Sequence, residues 1–378
     1  MKDVDRRRDV WGDQLLQRTT SPRPLLVALL LVAGAACADT PAAGPARLAP
    51  LPLDGQAVTV SGLSSGGAMA VQFHTAHSRL VQGVGVFAAP PYYCAEGVIG
   101  NALGRCMKDG TPIPVERLLQ QADRWAQEGL VDGPDGVAGD KVLLYRGAAD
   151  PHVHETVADA LERYYRARGV APADLVRIER AGAGHNLPIA APGAAPCASG
   201  EPPYVASCDY DAARALLEHL YGPFAASPSA ATTPTSAPGE LRTFDQRAYA
   251  TAVGSASFGH EGWLYVPATC AVAASAPCRL HVVFHGCKQG ASEVGDAFVR
   301  RSGYLEAADA GRVVVLFPQV KPTMQPLNPL GCWDWWGYEG AGYATQRGPQ
   351  VAAVRAMIDD LLPDTEAPEG ATDADRND

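Results

Sequence analysis

The sequence is poor in the features that mark nucleic-acid-binding and metal-binding proteins. It has no extended stripe of Lys and Arg residues, and its formal net charge at pH 7 is −10. Because phosphate contacts need clustered cations, this balance argues against a nucleic-acid partner. The nine cysteines include no Cys-x-x-Cys motif, and the pair His152 and His154 has no evident third ligand. We therefore expect neither a metal nor a cofactor.

Long apolar runs are also scarce, and the one that stands out lies near the N-terminus. The run Leu25–Ala33 follows Arg18 and Arg23, is short for a membrane span, and leads into Ala36-Cys37-Ala38. This pattern predicts a cleaved signal peptide over residues 1–38, a secreted protein and no stable membrane insertion afterwards. An uncleaved anchor, a periplasmic location and a lipid attached through Cys37 are the alternatives.

The cysteine pattern supports export. Cleavage after Ala38 removes Cys37 and leaves eight cysteines, an even number. In an exported chain such a set predicts disulfides, and neighbours in the sequence suggest the partners. The expected pairs are Cys94 with Cys106, Cys197 with Cys208, Cys270 with Cys278, and Cys287 with Cys332.

The rest of the chain divides into two blocks. Residues 39–48 are rich in Ala, Pro and Gly and are expected to form a flexible leader. Residues 225–239 are low in complexity and predict a linker between a first block, 49–224, and a second block, 240–362. Residues 363–378 are acidic and polar and predict a disordered tail.

Strand-like and helix-like segments alternate along both blocks. Continuous apolar runs predict strands, at residues 57–60, 81–89, 141–145, 280–284 and 313–317. Helical patterns occur at residues 157–168, 211–220, 291–310 and 350–362. Apolar runs separated by helices are typical of parallel strands buried on both faces, so the predicted class is α/β, with a mostly parallel sheet and helices on both faces.

The sharpest local motif is Gly-x-Ser-x-Gly, with Ser64 at its centre and Gly62 and Gly66 at its ends. It lies between a predicted strand and a predicted helix, which is the setting of a nucleophile elbow. Ser64 is therefore the candidate nucleophile, although a Ser/Gly-rich turn would give the same pentapeptide. Ser65 is expected to offer its backbone N–H to an oxyanion.

A serine nucleophile needs a base, and the base needs an orienting carboxylate. Asp150 lies in the loop after the predicted strand 141–145, and His185 follows in a Gly-x-Gly-His loop. The order Ser64, Asp150, His185 is the order found in α/β-hydrolases. The competing acids Asp132, Asp135 and Asp140 do not directly follow an apolar strand, while His74 and His77 on the predicted helix suggest surface or packing roles.

The oxyanion loop is missing from its usual place upstream of the nucleophile. Too few residues precede Ser64 to build those strands, yet the strand at 280–284 ends in His285-Gly286-Cys287. Circular permutation explains this order, because the two blocks would then build one sheet within a single catalytic domain over residues 49–362. An unrelated second domain is the alternative.

Three motifs together resemble extracellular poly(3-hydroxybutyrate) depolymerases of the circularly permuted, single-domain type. They are Gly-Leu-Ser-Ser-Gly-Gly-Ala-Met-Ala from Gly62, the His-Gly-Cys loop, and Gly-Cys-Trp-Asp-Trp-Trp-Gly-Tyr from Gly331, within residues 55–360. The resemblance implies a polyester or oligoester substrate, an α/β-hydrolase fold, and the following site residues: Ser64, Asp150 and His185 for catalysis, Ser65 and Cys287 for the oxyanion hole, and Trp333, Trp335 and Trp336 for substrate contact.

One departure and two alternatives accompany this interpretation. Many bacterial members carry a separate C-terminal substrate-binding domain where this chain has a short acidic tail, so weaker adsorption to crystalline polymer is expected. The same catalytic residues would also serve an esterase of small soluble or feruloyl-type esters. A secreted, non-catalytic surface-binding protein is the third hypothesis, although the intact order of Ser, Asp and His argues against it. Three Trp within four positions could also be core residues.

Overall fold

The eight longer strands share one sheet, to which each of the two sequence blocks contributes four. The computed structural model describes residues 47–108, 110–224, 238–271 and 276–363. The strands are β1 (Leu53–Leu63), β2 (Val81–Phe87), β3 (Lys141–Gly147), β4 (Leu175–Arg180), β5 (Leu187–Ile189), β6 (Ala195–Pro196), β7 (Val205–Ser207), β8 (Glu240–Asp245), β9 (Glu261–Val266), β10 (Cys278–Phe284) and β11 (Val313–Phe317).

The helices lie mostly between these strands. They are α1 (Ser65–Ala76), α2 (Ile99–Leu103), α3 (Val115–Gln127), α4 (Glu155–Ala167), α5 (Ala212–Tyr221), α6 (Arg247–Val253), α7 (Ala291–Val294), α8 (Ala297–Arg301), α9 (Tyr304–Gly311) and α10 (Pro349–Leu361). None of the helices in the described part of the chain has the length and apolarity that a bilayer span requires.

The main sheet has eight strands in the order β4-β3-β2-β1-β10-β11-β9-β8. Every neighbouring pair from β4 to β11 is parallel, and β9 and β8 complete one side as antiparallel strands. The strand before Ser64 is the first in the described part of the chain but lies in the middle of the sheet, with β10 of the second block beside it. The predicted α/β class and the permuted strand order are confirmed.

Helices cover both faces of the sheet because side chains alternate along each strand. On β10, Phe284 faces α1, where its ring centroid lies 6.2 Å from that of Phe73. His281 points to the opposite face and stacks on Tyr304 of α9 at 5.5 Å. The strands between these layers are almost entirely buried, which is why β10 and β11 read as continuous apolar runs.

The predicted helix over residues 291–310 is wrong as a single element. The structure breaks it into α7, α8 and α9, and the breaks fall at Gly295 and Gly303, whose φ angles are 59° and 81°. An apolar pattern can continue through such breaks because three short helices can each turn one face to the core. The strand β1 also begins earlier than predicted, at Leu53.

The four predicted disulfides are all present: Cys94–Cys106, Cys197–Cys208, Cys270–Cys278 and Cys287–Cys332. The predicted signal peptide over 1–38, with Cys37, lies outside the described residues. So do nearly all of the 39–48 leader, residues 225–237 of the expected linker and all but the first residue of the 363–378 tail.

Candidate active site

The turn that carries Ser64 joins β1 directly to α1 and has a strained backbone. Ser64 has φ 58° and ψ −121°, which a residue with a side chain rarely adopts, and its N–H donates to Phe87 O at 2.9 Å. Glycines make the turn possible. A Cβ on Gly62 would lie 2.2 Å from Gly66 O, and one on Gly66 would lie 2.1 Å from Phe284 O. The turn therefore presents a partly exposed Ser64 at the end of the sheet.

His185 and Asp150 form a buried hydrogen-bonded pair. The distance from His185 Nδ1 to Asp150 Oδ2 is 2.7 Å, and Asp150 Oδ1 accepts the N–H groups of His152 and Val153 at 2.7 and 3.0 Å. Burial raises the pKa of Asp150, but these hydrogen bonds outweigh it and hold the pKa below its usual value. A carboxylate at this position fixes the orientation of the His185 ring.

The topology brings these residues to one edge of the sheet. Ser64 follows β1, Asp150 comes three residues after β3, and His185 comes after β4. Because these strands are parallel neighbours through β2, their carboxyl ends point to the same edge. The competing acids precede β3, at its other end.

The competing acids Asp132, Asp135 and Asp140 have other hydrogen-bond partners or lie elsewhere in the fold. Asp140 accepts a hydrogen bond from His74 at 2.8 Å, and both side chains are buried. Asp132 accepts the backbone N–H of Arg79, and Asp135 lies in a short 3-10 turn. The expectation of packing roles for His74 and His77 agrees with their burial.

The loop that carries His185 is held by residues that the sequence analysis did not single out. Asn186 donates from Nδ2 to Cys197 O and Ser199 O at 2.8 and 2.7 Å, and Gly184 N–H donates to Cys197 O at 2.9 Å. Cys197 is fixed in turn by its disulfide to Cys208. An amide side chain directly after the candidate base was the only signal of this role.

The loop after β10 meets the Ser64 turn from the second block. A Cβ on Gly286 would lie 3.5 Å from Ser64 Cβ, so the two backbones are in close approach. Gly286 N–H donates to Gln289 Oε1 at 2.5 Å, and Lys288 N–H donates to Leu330 O at 2.8 Å. Within the described residues, the N–H groups of Ser65 and Cys287 donate to no protein acceptor, which leaves them available to a ligand.

His285 holds this loop as a neutral imidazole. Its Nδ1 lies 2.7 Å from Gly286 O, and its Nε2 accepts the N–H of Val320 at 3.1 Å. Complete burial lowers the pKa of His285 to about 4, so Nδ1 carries the proton and donates. The conformation of the Gly286-Cys287 backbone is thereby tied to the end of β11.

The tryptophan segment lies beside this loop, but its side chains differ from expectation. The disulfide Cys287–Cys332 joins the two, and Trp333 N–H donates to Ser65 Oγ at 3.3 Å. Trp333 itself is 0% exposed, with its ring against Phe284 and His285. This corrects the expectation that Trp333 contacts substrate, because a side chain at the base of the loop has no free surface.

Trp335 and Trp336 lie further out on the segment. Trp335 is 7% exposed, whereas Trp336 is only partly buried and its ring lies 4.9 Å from that of Tyr338. Of these two side chains, Trp336 therefore has the larger free surface. The resulting aromatic surface consists of Trp336 and Tyr338.

Asp334 organises this segment, a role that the sequence did not predict. Its Oδ1 accepts the N–H groups of Trp336, Gly337 and Tyr338 at 2.6 to 3.3 Å, and its Oδ2 accepts that of Glu339 at 2.8 Å. Burial raises the pKa of Asp334 to about 6 despite these donors. A single carboxyl group therefore determines how the aromatic surface is presented.

Two known proteins that resemble this chain in sequence are both polyhydroxybutyrate depolymerases. A poly(3-hydroxybutyrate) depolymerase of Delftia acidovorans is 41% identical over 314 residues, which cover 83% of this chain and 61% of that protein. A polyhydroxybutyrate depolymerase of Talaromyces funiculosus is 32% identical over 317 residues, which cover 81% of this chain and 89% of that protein. The chain therefore spans less than two thirds of the length of the bacterial relative. No family model matches the chain.

Solved structures show the same fold. A crystal structure of the PHB depolymerase from Penicillium funiculosum matches with a TM-score of 0.75 and 29% identity, over 84% of this chain and 98% of that chain. A serine-to-alanine variant of a PHB depolymerase in complex with an R3HB trimer matches with the same TM-score and coverage at 28% identity. The match extends over nearly the whole length of both solved chains.

Proposed function

The chain belongs to the poly(3-hydroxybutyrate) depolymerase family, and on that premise we propose that it hydrolyses the ester bonds of short-chain polyhydroxyalkanoates through an acyl-enzyme on Ser64. The observation that carries the proposal is the His185–Asp150 hydrogen bond at the sheet edge where the strained Ser64 turn lies. A related depolymerase has been crystallised with an R3HB trimer, which supports an oligoester or polyester as substrate. The chemistry is carboxylic ester hydrolysis and uses no cofactor.

In the first half of the reaction, His185 Nε2 takes the proton of Ser64 Oγ as the oxygen attacks the ester carbonyl carbon. Asp150 keeps the proton on Nδ1 and stabilises the imidazolium that forms. The N–H groups of Ser65 and Cys287 hold the negative oxygen, and each donor contributes about 3 kcal/mol to transition-state stabilisation. His185 then protonates the leaving alkoxide, which departs as the hydroxyl end of the cleaved chain.

In the second half, water replaces the departed alcohol. His185 takes a proton from the water as its oxygen attacks the acyl carbon, and the collapse of the tetrahedral intermediate breaks the bond to Ser64 Oγ. His185 returns the proton to Ser64, and the hydroxyacid end leaves as a carboxylate. The ring of Trp336 and that of Tyr338, whose hydroxyl donates to Cys332 O, would contact the apolar part of the polyester.

The proposal extends to the organisation of the protein. Residues 49–362 form one catalytic domain, with 225–239 as the linker at the permutation joint, and residues 1–38 direct export. Four disulfides support an oxidising destination outside the cytoplasm. The finer choice is free secretion, with a periplasmic form and attachment of a lipid to Cys37 as the alternatives to exclude.

The decisive experiment is clearing of a turbid poly(3-hydroxybutyrate) suspension by the purified protein, measured beside hydrolysis of small acyl esters. We expect clearing by the wild type, none by Ser64→Ala, and unchanged clearing by Ser78→Ala, a buried serine two residues after the end of α1. Hydrolysis of small or feruloyl-type esters without clearing would favour the soluble esterase. Failure of a fluorophosphonate to label Ser64 would favour a non-catalytic surface-binding protein.

A further inference from the structure

A chain of buried hydrogen bonds crosses the middle of the sheet, away from the catalytic edge. Ser61 Oγ lies 2.6 Å from Tyr304 OH and 2.8 Å from His281 Nε2. His281 Nδ1 lies 2.7 Å from Thr59 Oγ1, which lies 2.6 Å from Tyr221 OH. Thr59, Ser61, His281 and Tyr304 are each at most 1% exposed. The reaction proposed above uses none of these groups.

Counting hydrogens gives the chain a direction. Tyr221 OH donates to Leu280 O at 2.9 Å, so Thr59 can donate to Tyr221, and His281 Nδ1–H can donate to Thr59. His281 Nε2 then accepts from Ser61, which accepts from Tyr304. Every hydrogen has an acceptor in this direction. In the reverse direction the Tyr304 hydroxyl would have no acceptor within the described residues, and an unsatisfied buried donor is costly.

This chain of hydrogen bonds connects the two strands whose ends form the candidate site. Thr59 and Ser61 belong to β1, which leads into Ser64, and His281 belongs to β10, which leads into Cys287. Thr59 pairs directly with His281 in the parallel register, although the two are 222 residues apart in the chain. No short connection sets that register, because most of the first block, the linker and the start of the second block lie between the strands.

Apolar contacts alone fix this register weakly. The residues around these hydrogen bonds on both strands are mostly Val, Leu and Phe. A slip of one strand by two residues would leave each side chain on the same face of the sheet. Such a slip would move Ser64 relative to Cys287 N–H by about 7 Å. It would also separate His281 from both hydroxyls at once, and smaller displacements would stretch these bonds. Beside the close approach of Gly66 to Phe284 O, the hydrogen-bond chain is therefore a register-specific contact between the two strands.

We propose that His281 is a positioning residue. Its two ring nitrogens form hydrogen bonds with Thr59 and Ser61 of β1. These bonds hold β1, which leads into Ser64, at the distance from β10, which leads into Cys287, that ester hydrolysis requires. This inference rests on the proposed roles of Ser64 and Cys287. It predicts a loss in the chemical step, because an oxyanion donor that is misplaced by a fraction of an ångström stabilises the transition state less. Binding of the ester ground state depends on other surfaces.

The test uses two substitutions at Thr59 in the full-length protein. Thr59→Val keeps the volume and removes the hydroxyl, whereas Thr59→Ser keeps the hydroxyl and removes a buried methyl group. With a short-chain p-nitrophenyl ester we expect kcat to fall about 10- to 100-fold for Thr59→Val, with KM within about twofold of wild type. Thr59→Ser should keep kcat within about threefold, whatever its thermal stability.

A transition-state analogue and a matched control complete the test. The inhibition constant of an alkyl trifluoromethyl ketone, which forms a hemiketal oxyanion on the nucleophile, should rise for Thr59→Val by the same factor as kcat/KM falls. Thr75→Val removes another buried hydroxyl, one that bonds Tyr164 at 3.2 Å and lies outside both strands. It should leave kcat and the inhibition constant unchanged even where its melting temperature falls.

Two outcomes would overturn the proposal, and they are distinguishable. An active wild type with equal kcat in Thr59→Val and Thr59→Ser, or a kcat that follows the melting temperature across all three variants, would reduce His281 to a structural residue and leave the proposed function intact. A wild type without ester hydrolysis would overturn the proposed function and the positioning role with it.

Discussion

Strand β1 carries two serines three residues apart, and each belongs to a set that includes a histidine. Ser61 bonds directly to His281 at the centre of the sheet, whereas Ser64 lies at the edge with His185. Burial lowers the pKa of His281 to about 3, and its hydrogen-bond partners are hydroxyl groups, so its ring is neutral near pH 7. His185 instead bonds the carboxylate of Asp150.

The difference teaches what a serine and a histidine need around them in order to react. The edge set has a carboxylate that could stabilise an imidazolium and a strained turn that exposes the serine. It also has two N–H groups that donate to no acceptor among the described residues. The central set has an ordinary strand backbone, no access and neutral partners. Contact between serine and histidine is thus the least informative part of a catalytic set.

The largest expected effect separates the two serines. Ser64→Ala should lower kcat by about 10⁶-fold, because the attacking oxygen is gone and only oxyanion donors and binding remain. Ser61→Ala should lower kcat by about 10- to 100-fold through strand position alone. Steady-state kinetics with a chromogenic ester measures both. A similar kcat for the two variants would contradict the division of roles.

The second prediction removes the carboxylate that distinguishes His185 from His281. Asp150→Asn should keep the fold and lower kcat by about 10⁴-fold, because an amide does not stabilise the imidazolium and favours the wrong tautomer. Activity should be followed up to alkaline pH. If the variant regains wild-type kcat within the range where the protein is folded, Asp150 is not the orienting acid.

The third prediction compares how the two regions are held. The edge loop is closed by Cys287–Cys332, which spans 45 residues, whereas Cys270–Cys278 spans 8. Replacing each pair by Ala should lower the free energy of unfolding by about 4 and about 2.5 kcal/mol respectively, by the chain-entropy relation. Only the first should also lower kcat. Chemical denaturation together with ester kinetics tests this, and equal kcat losses would count against it.

The smallest predicted effect is a pH dependence that only the edge region supplies. Asp334 has a folded pKa of about 6, above the unfolded value, so its ionisation costs stability above about pH 6. This cost is relieved as the pH falls from 7 to 5, which adds about 1 kcal/mol to the free energy of unfolding. Asp150 has a lowered pKa and acts oppositely, at lower pH, where its contribution is lost.

The Asp334 effect can be isolated by comparing slopes. When the pH falls from 7 to 5, the free energy of unfolding of Asp334→Asn should rise by about 1 kcal/mol less than that of the wild type. This difference is expected whatever the absolute stability of the variant. Identical slopes would show that Asp334 is ionised throughout this range.

What the sequence could predict follows from how local each signal is. The Ser64 turn, the strands β3 and β10 and the disulfides depend on short motifs or apolar runs, and they were predicted. Strand β4 was missed because it is an outermost strand of the sheet, where Arg177 and Glu179 interrupt the apolar pattern. Strand β8 was missed for the same reason, since Glu240 and Thr243 are exposed polar residues within it. Strand β9 was missed although Trp263–Val266 is an apolar run.

The site residues that were missed act through backbone groups far away in the chain. Asn186 donates hydrogen bonds to loop C=O groups, and Asp334 accepts them from loop N–H groups. Such a role leaves no periodicity in the sequence. His281 was read as part of an apolar run, because its partners Thr59 and Tyr304 lie on other elements. The burial of Trp333 was equally invisible, since it depends on Phe284 from the neighbouring strand.

The pairing of β1 with β10 also has a consequence for biosynthesis. Thr59 leaves the ribosome 222 residues before its partner His281, a delay of about 10 to 45 s at 5 to 20 residues per second. Throughout that interval β1 has an unpaired edge that is open to association with other chains. The nascent chain therefore carries its candidate nucleophile early but lacks the loop proposed for the oxyanion hole until Cys287 has been made, so we expect no hydrolytic activity before that point.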